Sequence, residues 1–192
     1  VEGAATSAHA FNRLRDIARP KRQPAAVASA QTLGRTRHHR IQPMLRQTLL
    51  LLHLLGVIAW LGGMFFAYFC LRPAAAQVLQ PPQRLPLWSA TFARFLPLMA
   101  VAVVVIIASG LHMLFSVGLG AAPIGWHVMF GVGSVMAVVF GAVYLRVFPQ
   151  LKAHCAASSW PEAGAALNRI RQLVALNLVL GAVVVAAAVS AR

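Results

Sequence analysis

Four long apolar stretches dominate the sequence, and polar or proline-rich segments separate them. Their predicted bounds are about 48–71, 95–119, 124–147 and 170–191. A hydrocarbon core of ~30 Å needs about 20 apolar residues in a helix, so each stretch is long enough to span a membrane. Because the connections are short, neighbouring helices are expected to be antiparallel. The pattern predicts an all-α integral membrane protein, a four-helix transmembrane bundle.

Three connecting segments separate the predicted spans. Residues 72–88 are predicted to be a turn-prone segment, because proline removes a backbone donor and interrupts helices. Its prolines are Pro73, Pro81, Pro82 and Pro86. Residues 118–123 are expected to form a tight, uncharged turn. Residues 149–168 are expected to form a polar loop with a short interfacial helix.

The first span carries a single histidine, His53, among apolar residues. Helical spacing places it on one stripe with small residues and one aromatic residue, namely Gly56, Trp60, Gly63 and Ala67. Polar and small residues in membrane helices pack against neighbouring helices rather than lipid tails. The stripe therefore predicts that His53 faces the interior of the bundle.

The next two spans also carry one histidine each, His112 and His127. At 1.5 Å per residue, His53 lies about 6 Å from the start of its span, His112 about 10 Å from the end of its span, and His127 about 5 Å from the start of the third. Since neighbouring helices are antiparallel, all three fall near the same membrane face. Interior stripes are predicted through Gly131, Ser134, Val138 and Gly141 for His127, and through Ser109 or Ala108, Val105 and Ala102 for His112.

Three imidazoles at one depth are candidate ligands for a metal ion or a haem iron. Met113 follows His112 directly, and its thioether would suit Cu(I). The candidate metal ligands are therefore His53, His112, His127 and Met113, and the three histidines are the candidate haem ligands. A third interpretation is that the histidines only tie helices together by hydrogen bonds, which is also the role expected of Asn177 in the fourth span.

Composition supports a membrane protein and weakens other classes. Hydrophobic residues make up 59% of the 192 residues and charged residues 10%, whereas soluble domains carry about 25% charged residues. The net charge of +14 is typical of nucleic-acid-binding proteins, yet nine of the 17 basic residues lie in positions 1–46. Most of the others flank the spans, so membrane lipid is an expected partner and nucleic acid is not. The acidic residues Glu2, Asp16 and Glu162 lie outside the spans, which argues against a carboxylate relay.

Residues 1–43 are a separate region, rich in Arg, Ala and Ser and without an apolar period. We expect a disordered basic tail here, followed by the transmembrane domain over residues 44–192. A transit peptide and a basic arm for anionic lipid or nucleic acid are open interpretations of the tail. The favoured interpretation is an over-extended start, with translation beginning at Met44.

Basic residues around the spans predict the orientation of the chain. Seven lie beside the first and third connections, namely Arg72, Arg84, Arg94, Arg146, Lys152, Arg169 and Arg171. If translation begins near Met44, the opposite side has only Arg46 and Arg192. If the basic tail is part of the protein, Arg35, Arg37 and Arg40 also count, and the comparison becomes seven against five. This excess predicts that the connections lie in the cytoplasm, and that the histidines and the C-terminus lie on the periplasmic side of a bacterial inner membrane.

Two of these spans resemble a known family. The first contains His53, then six residues, then Trp-Leu-Gly-Gly over 60–63 and Leu-Arg-Pro over 71–73, and it resembles the first helix of the copper-resistance CopD family. The Gly-Trp-His sequence over 125–127 resembles a later histidine-bearing helix of that family. The resemblance covers about 44–190 and is to the short, four-helix members.

The resemblance implies an inner-membrane protein of copper uptake, homeostasis or tolerance that works with a periplasmic copper-binding partner. It implies that His53 and His127 are the functional histidines, with His112 as a third. It favours a non-enzymatic copper protein, and it leaves a homo-oligomer open.

The alternative function is a haem-b membrane redox protein, either an electron carrier or an oxidase similar to the HemJ-like protoporphyrinogen oxidases. That group also places a histidine in its first helix, and it has a lysine shortly after the tryptophan and histidine of its third helix. Here Trp126 and His127 are followed by Val128 and Met129. This departure weakens the oxidase interpretation and leaves the electron carrier open.

Overall fold

The computed structural model describes the backbone of residues 25–190 and the side chains of residues 44–190. The chain divides into two units between Leu45 and Arg46, and the bundle described below belongs to the second unit. The helices are α1 (Ala25–Phe65), α2 (Arg72–Val78), α3 (Pro81–Val117), α4 (Ile124–Ala142), α5 (Phe148–Ala156) and α6 (Trp160–Ser190), with π-helices at Phe66–Leu71 and Val143–Val147.

Within the described residues these elements form four helical spans that are long and apolar enough to cross a membrane: Met44–Val78, Pro81–Val117, Ile124–Ala156 and Trp160–Ser190. Their outer surfaces carry large apolar side chains, as suits contact with lipid tails. The structure thus confirms the predicted all-α, four-helix membrane protein. We call the end with the 118–123 turn the histidine end and the opposite end the loop end.

The spans are longer than predicted, because the connections at the loop end are mostly helical. Residues 72–88, predicted to be a turn, interrupt the helix only at Leu79 and Gln80. Pro81 and Pro82 begin α3, where a missing backbone N–H costs nothing. The predicted polar loop over 149–168 is also mostly helical, since only residues 157–159 separate α5 from α6.

Each of the two π-helices lies shortly before a proline, and the helical span continues through that proline. Phe66–Leu71 ends two residues before Pro73, and Val143–Val147 ends two residues before Pro149. A proline ring collides with the carbonyl four residues earlier in an α-helix. In both spans that carbonyl belongs to the π-helix, whose wider turn gives the ring room. The helix therefore continues through each proline instead of ending there.

The predicted disordered tail falls partly outside the described residues. Nothing is described of residues 1–24. From Ala25 onward the backbone is helical and continues into the first span as α1. The disordered basic tail over residues 1–43, separate from the transmembrane domain over 44–192, stays a prediction.

Two groups of buried side chains hold the second unit together. The central cluster joins the first, second and third spans through Trp60, Met64, Met99, Val103 and Met136. The loop-end cluster joins the second, third and fourth spans through Leu85, Trp88, Phe92, Leu96, Val143, Val147, Leu151, Ala163, Ala166, Leu167 and Ile170. The histidine end therefore has no large cluster of fully buried side chains among the described residues.

Adjacent glycines in the first span give a matched test of this packing. A Cβ at Gly63 would lie 2.6 Å from the Phe95 ring, whereas a Cβ at Gly62 would meet nothing within 4 Å. We expect Gly63→Leu to lower the free energy of unfolding by about 1–3 kcal/mol through overpacking. Gly62→Leu should leave it unchanged or raise it, since leucine favours helix. Thermal unfolding in detergent compares the two, and equal losses would contradict the contact with Phe95.

Candidate functional site

His53 is the best-anchored histidine in the described part of the chain. Its ring is half-buried between the first and second spans. Its Nδ1 atom lies 3.1 Å from the backbone oxygen of Ile106 and 3.0 Å from the hydroxyl oxygen of Ser109. Two hydrogen-bonding groups from the second span thus fix the orientation of an imidazole from the first.

The partners of this nitrogen also indicate which tautomer the ring adopts. The Ile106 carbonyl can only accept a hydrogen bond, and the Ser109 hydroxyl donates to the carbonyl of Val105 in its own helix. Nδ1 therefore carries the proton and donates it to both oxygens. Nε2 keeps its lone pair, and it makes no hydrogen bond within residues 44–190. A metal-binding histidine has the same arrangement, with one nitrogen anchored and the other available.

Small residues allow the two helices to approach closely around this ring. A Cβ at Gly56 would lie 2.8 Å from Ile106, and one at Gly110 would lie 3.3 Å from the Cε1 atom of His53. Gly56 and Trp60 are buried, and Gly63 is half-buried. The prediction that this stripe of the first span faces the bundle interior is therefore confirmed.

His112 lies one helical turn beyond the residues that hold His53. It follows Ser109 by three residues, which is about 4.5 Å along the helix axis toward the histidine end. Its side chain is exposed, while that of its neighbour Met113 is half-buried. Of the two other candidate ligands His112 and His127, only His112 lies on one of the two helices that position His53.

His127 lies on a different face from the one predicted. Its ring is exposed, and its Nδ1 atom lies 3.3 Å from the Pro123 oxygen of its own helix. Val138 on the same predicted stripe is 73% exposed, and a Cβ at Gly131 would meet nothing within 4 Å. The interior stripe predicted for the third span is therefore wrong. The buried face of this helix passes through Met136, nine residues and hence about 180° away from His127.

The depth of His127 follows from contacts of the fourth span. The amide nitrogen of Asn177 donates to the backbone oxygen of Met136 at 3.2 Å, which confirms the predicted interhelical role of this asparagine. Gly181 packs against Leu61 of the first span. Asn177 is therefore level with Met136, and Gly181 is level with Leu61. Counting from these levels at 1.5 Å per residue in antiparallel helices, His127 lies about one turn, or about 5 Å, from His53 along the bundle axis.

The structure thus places three histidines at similar depths without bringing their side chains together. Within the described residues, no three His, Cys, Asp or Glu side chains are grouped closely enough to hold a metal ion. A shared site of His53, His112 and His127 therefore stays a prediction. The geometry favours His53 as its first member, because only His53 is anchored between two helices.

Sequence reasoning missed two features of the site and its surroundings. Ser109 was predicted to lie on an interior stripe, but its contact with His53 was not predicted. The sequence feature that could have indicated this contact is the small polar side chain of Ser109 one turn before His112. At the loop end, Arg171 Nε and Asn177 Oδ1 are buried without a hydrogen-bond partner. No pattern in the sequence pointed to a cavity between these two residues.

Comparison with known proteins identifies the family. The profile of copper resistance protein D, CopD, matches residues 89–191. No curated protein and no solved structure matches the chain. The matched region begins in the second span and includes His112 and His127, whereas the first-span motif around His53 precedes it. Because the match covers more than half of the 192 residues, the chain belongs to the CopD family.

Proposed function

We propose that this protein is an inner-membrane copper protein that binds copper ions at the histidine end of its bundle and takes part in copper uptake, homeostasis or tolerance. The anchored ring of His53 carries this proposal. Its Nδ1–H is held by the second span, and its Nε2 lone pair is available. Membership of the copper resistance family indicates copper as the metal, and imidazole nitrogen is a suitable ligand for copper.

The second ligand in this proposal comes from the same pair of helices. His112 lies about one turn from Ser109, and Met113 next to it offers a thioether that suits Cu(I). His127 lies at a similar depth but on the exposed face of its helix. It therefore serves as a third donor only when its helix rotates or a neighbouring chain supplies the other ligands.

The distribution of basic residues predicts which side of the membrane the proposed copper site faces. Seven basic residues flank the spans on the side of the loop end, and in sequence Arg46 and Arg192 flank the other side, or five residues when Arg35, Arg37 and Arg40 of the basic tail are counted. By the positive-inside rule the loop end is cytoplasmic and the histidine end is periplasmic. A periplasmic copper-binding protein is then the partner that delivers copper or receives it, and the C-terminus is periplasmic.

Metal analysis combined with an absorption spectrum of the purified full chain tests this function. We expect copper to be retained after exposure to copper and removal of excess metal. A Soret band without copper would instead support the haem-b electron carrier. A colourless preparation that retains no copper would contradict both and would leave the histidines with a structural role.

Removing the hydroxyl that anchors His53 should weaken copper binding without abolishing it. In Ser109→Ala the imidazole keeps its bond to Ile106 but loses its second partner. Loss of such an anchoring partner typically costs about 10–100-fold in metal affinity, and we expect the lower end of this range. Ser134→Ala is the matched control, because its hydroxyl bonds to the backbone oxygen of Phe130 in its own helix and touches none of the proposed ligands. Competition with a chromophoric copper chelator measures both, and equal affinities for the two variants would contradict the anchoring role.

A further inference from the structure

Three buried methionines, one from each of the first three spans, lie in the central cluster. Met64, Met99 and Met136 are 4%, 7% and 3% exposed, and they pack together with Trp60 and Val103. Three of the five buried side chains in this cluster therefore carry a thioether. Leucine fills an apolar core equally well, whereas a thioether sulfur is also a soft, polarizable donor to metal ions.

Contacts with neighbouring helices place the three methionines at one level. A Cβ at Gly63 would lie 3.9 Å from the Sδ atom of Met99, so this sulfur lies beside the residue that precedes Met64. Met136 lies about 6 Å from the level of Leu61, toward the loop end, because their partners in the fourth span are four residues apart. Met64 lies three residues, or about 4.5 Å, beyond Leu61 in the same direction. All three methionines thus fall within about one helical turn of one another in depth.

This level lies inside the apolar part of the spans, deeper than the proposed copper site. Met64 follows His53 by eleven residues, or about 16 Å, and precedes Arg72 by eight residues, or about 12 Å. Glu162 is the only acidic residue of residues 44–192, and it lies 15 residues before Asn177, or about 22 Å along the helix. A metal ion at the level of the methionines would therefore have neutral ligands.

Two further features at this level suit a cation held by thioethers. Asn177 is 3% exposed, and its amide nitrogen donates to the backbone oxygen of Met136, while its Oδ1 atom is buried without a hydrogen-bond donor. A cavity of about 50 Å³, the loop-end cavity, extends from Met64 and Asn177 to Arg72 and Arg171. Its accessible surface is apolar, so it gives the flexible side chain of Met64 room to change rotamer without admitting a hydrated ion.

We propose that Met64, Met99 and Met136 form a second copper site, which takes Cu(I) through their three thioether sulfurs. The site rests on the proposed function, since copper reaches this level from the site at His53. Thioether ligands select Cu(I), and burial favours the same oxidation state. Three neutral ligands leave a single positive charge on a Cu(I) site and a double charge on a Cu(II) site, and the cost of removing an ion from water rises with its charge. The ion keeps its oxidation state as it binds.

Counting the Cu(I) ions bound per chain under anaerobic, reducing conditions tests the proposal. The full chain in detergent is loaded with Cu(I), a chromophoric chelator removes weakly bound metal, and copper and protein are quantified. We expect about two ions in the wild type and about one in Met64→Leu or Met136→Leu, because loss of a ligand should weaken binding by more than the ~10–100-fold typical of a lost anchoring partner. Cores usually tolerate an exchange of methionine for leucine. The two variants alter different helices, and a thermal melt reports their folding.

Val103→Ala is the matched control. Val103 belongs to the same cluster but carries no sulfur, so its truncation loosens the packing and should leave both ions bound. Loss of an ion in Val103→Ala equal to that in the methionine variants would overturn the proposal. A wild type that retains one ion, unchanged in both methionine variants, would overturn the second site and leave the proposed copper function intact. A wild type that retains no copper would contradict both.

Discussion

Replacing His53 with alanine should reduce copper affinity by more than the ~10–100-fold typical of a lost anchoring partner, because it removes a ligand itself. Among the histidines of residues 44–190, His53 alone has its Nδ1–H held by a neighbouring helix, so its Nε2 needs little ordering to bind. Alanine also removes an interhelical hydrogen bond, which in a membrane protein is worth only about 0.6 kcal/mol on average. Chelator competition in detergent measures the affinity, and a thermal melt of the same sample measures the stability.

His154→Ala is the control for this substitution. His154 lies in α5, at the opposite end of the bundle from His53. Its replacement should leave copper affinity unchanged, and any effect there would indicate nonspecific binding of copper to imidazoles. An unchanged affinity in His53→Ala, with a normal melt, would remove His53 from the copper site and leave it a structural role.

Replacing Leu151 with alanine should have the largest effect on stability. Leu151 has no solvent-accessible surface and belongs to the loop-end cluster, which joins three spans. Deleting its side-chain methyl groups leaves a cavity that the surrounding residues fill only in part, so we expect a loss of about 2–4 kcal/mol in the free energy of unfolding. Reversible unfolding in mixed detergent and denaturant measures it. Copper affinity should be unchanged, since the cluster lies at the loop end.

Leu145→Ala is the matched control in the same span. Leu145 is 73% exposed on the surface that faces lipid, so its truncation leaves no internal cavity. We expect a loss of less than about 0.5 kcal/mol, as for surface substitutions in general. A loss at Leu145 equal to that at Leu151 would show that burial against lipid, rather than packing between the spans, governs the stability of this bundle.

Hydropathy predicted the four spans correctly, because a bilayer requires long apolar helices and few other structures. It misplaced their ends near Pro73, where prolines were expected to interrupt the helix, and near Pro149, where a polar loop was expected to begin. The π-helix before each of these prolines moves the colliding carbonyl away. Such an adjustment depends on packing over several turns, and no local propensity signals it.

The faces of the helices were predictable only where polarity marked them. In the first span, glycines on one side and large apolar residues on the others correctly identified the face of His53. The third span is apolar on every side, and its small residues are spread around the helix. The stripe through His127 was therefore no better marked than the one through Met136, which the structure buries.

The loop-end cavity was beyond prediction for a different reason. Its lining includes Arg72 and Arg171, which are far apart in sequence and were interpreted as flanking residues that set the orientation. Asn177 was correctly predicted to make an interhelical hydrogen bond, and its amide nitrogen donates that bond. That its oxygen would be left buried without a partner depends on the packing of the spans around the cavity, which the sequence does not encode locally.

X-ray absorption at the copper edge of the copper-loaded full chain tests the role of His53. Multiple scattering from imidazole rings counts the histidine ligands of the bound ion. We expect imidazole scattering in the wild-type protein and one imidazole fewer in His53→Ala, with His154→Ala unchanged from wild type. A copper spectrum without imidazole scattering, or the same number of imidazoles with and without His53, would contradict a copper site built on His53.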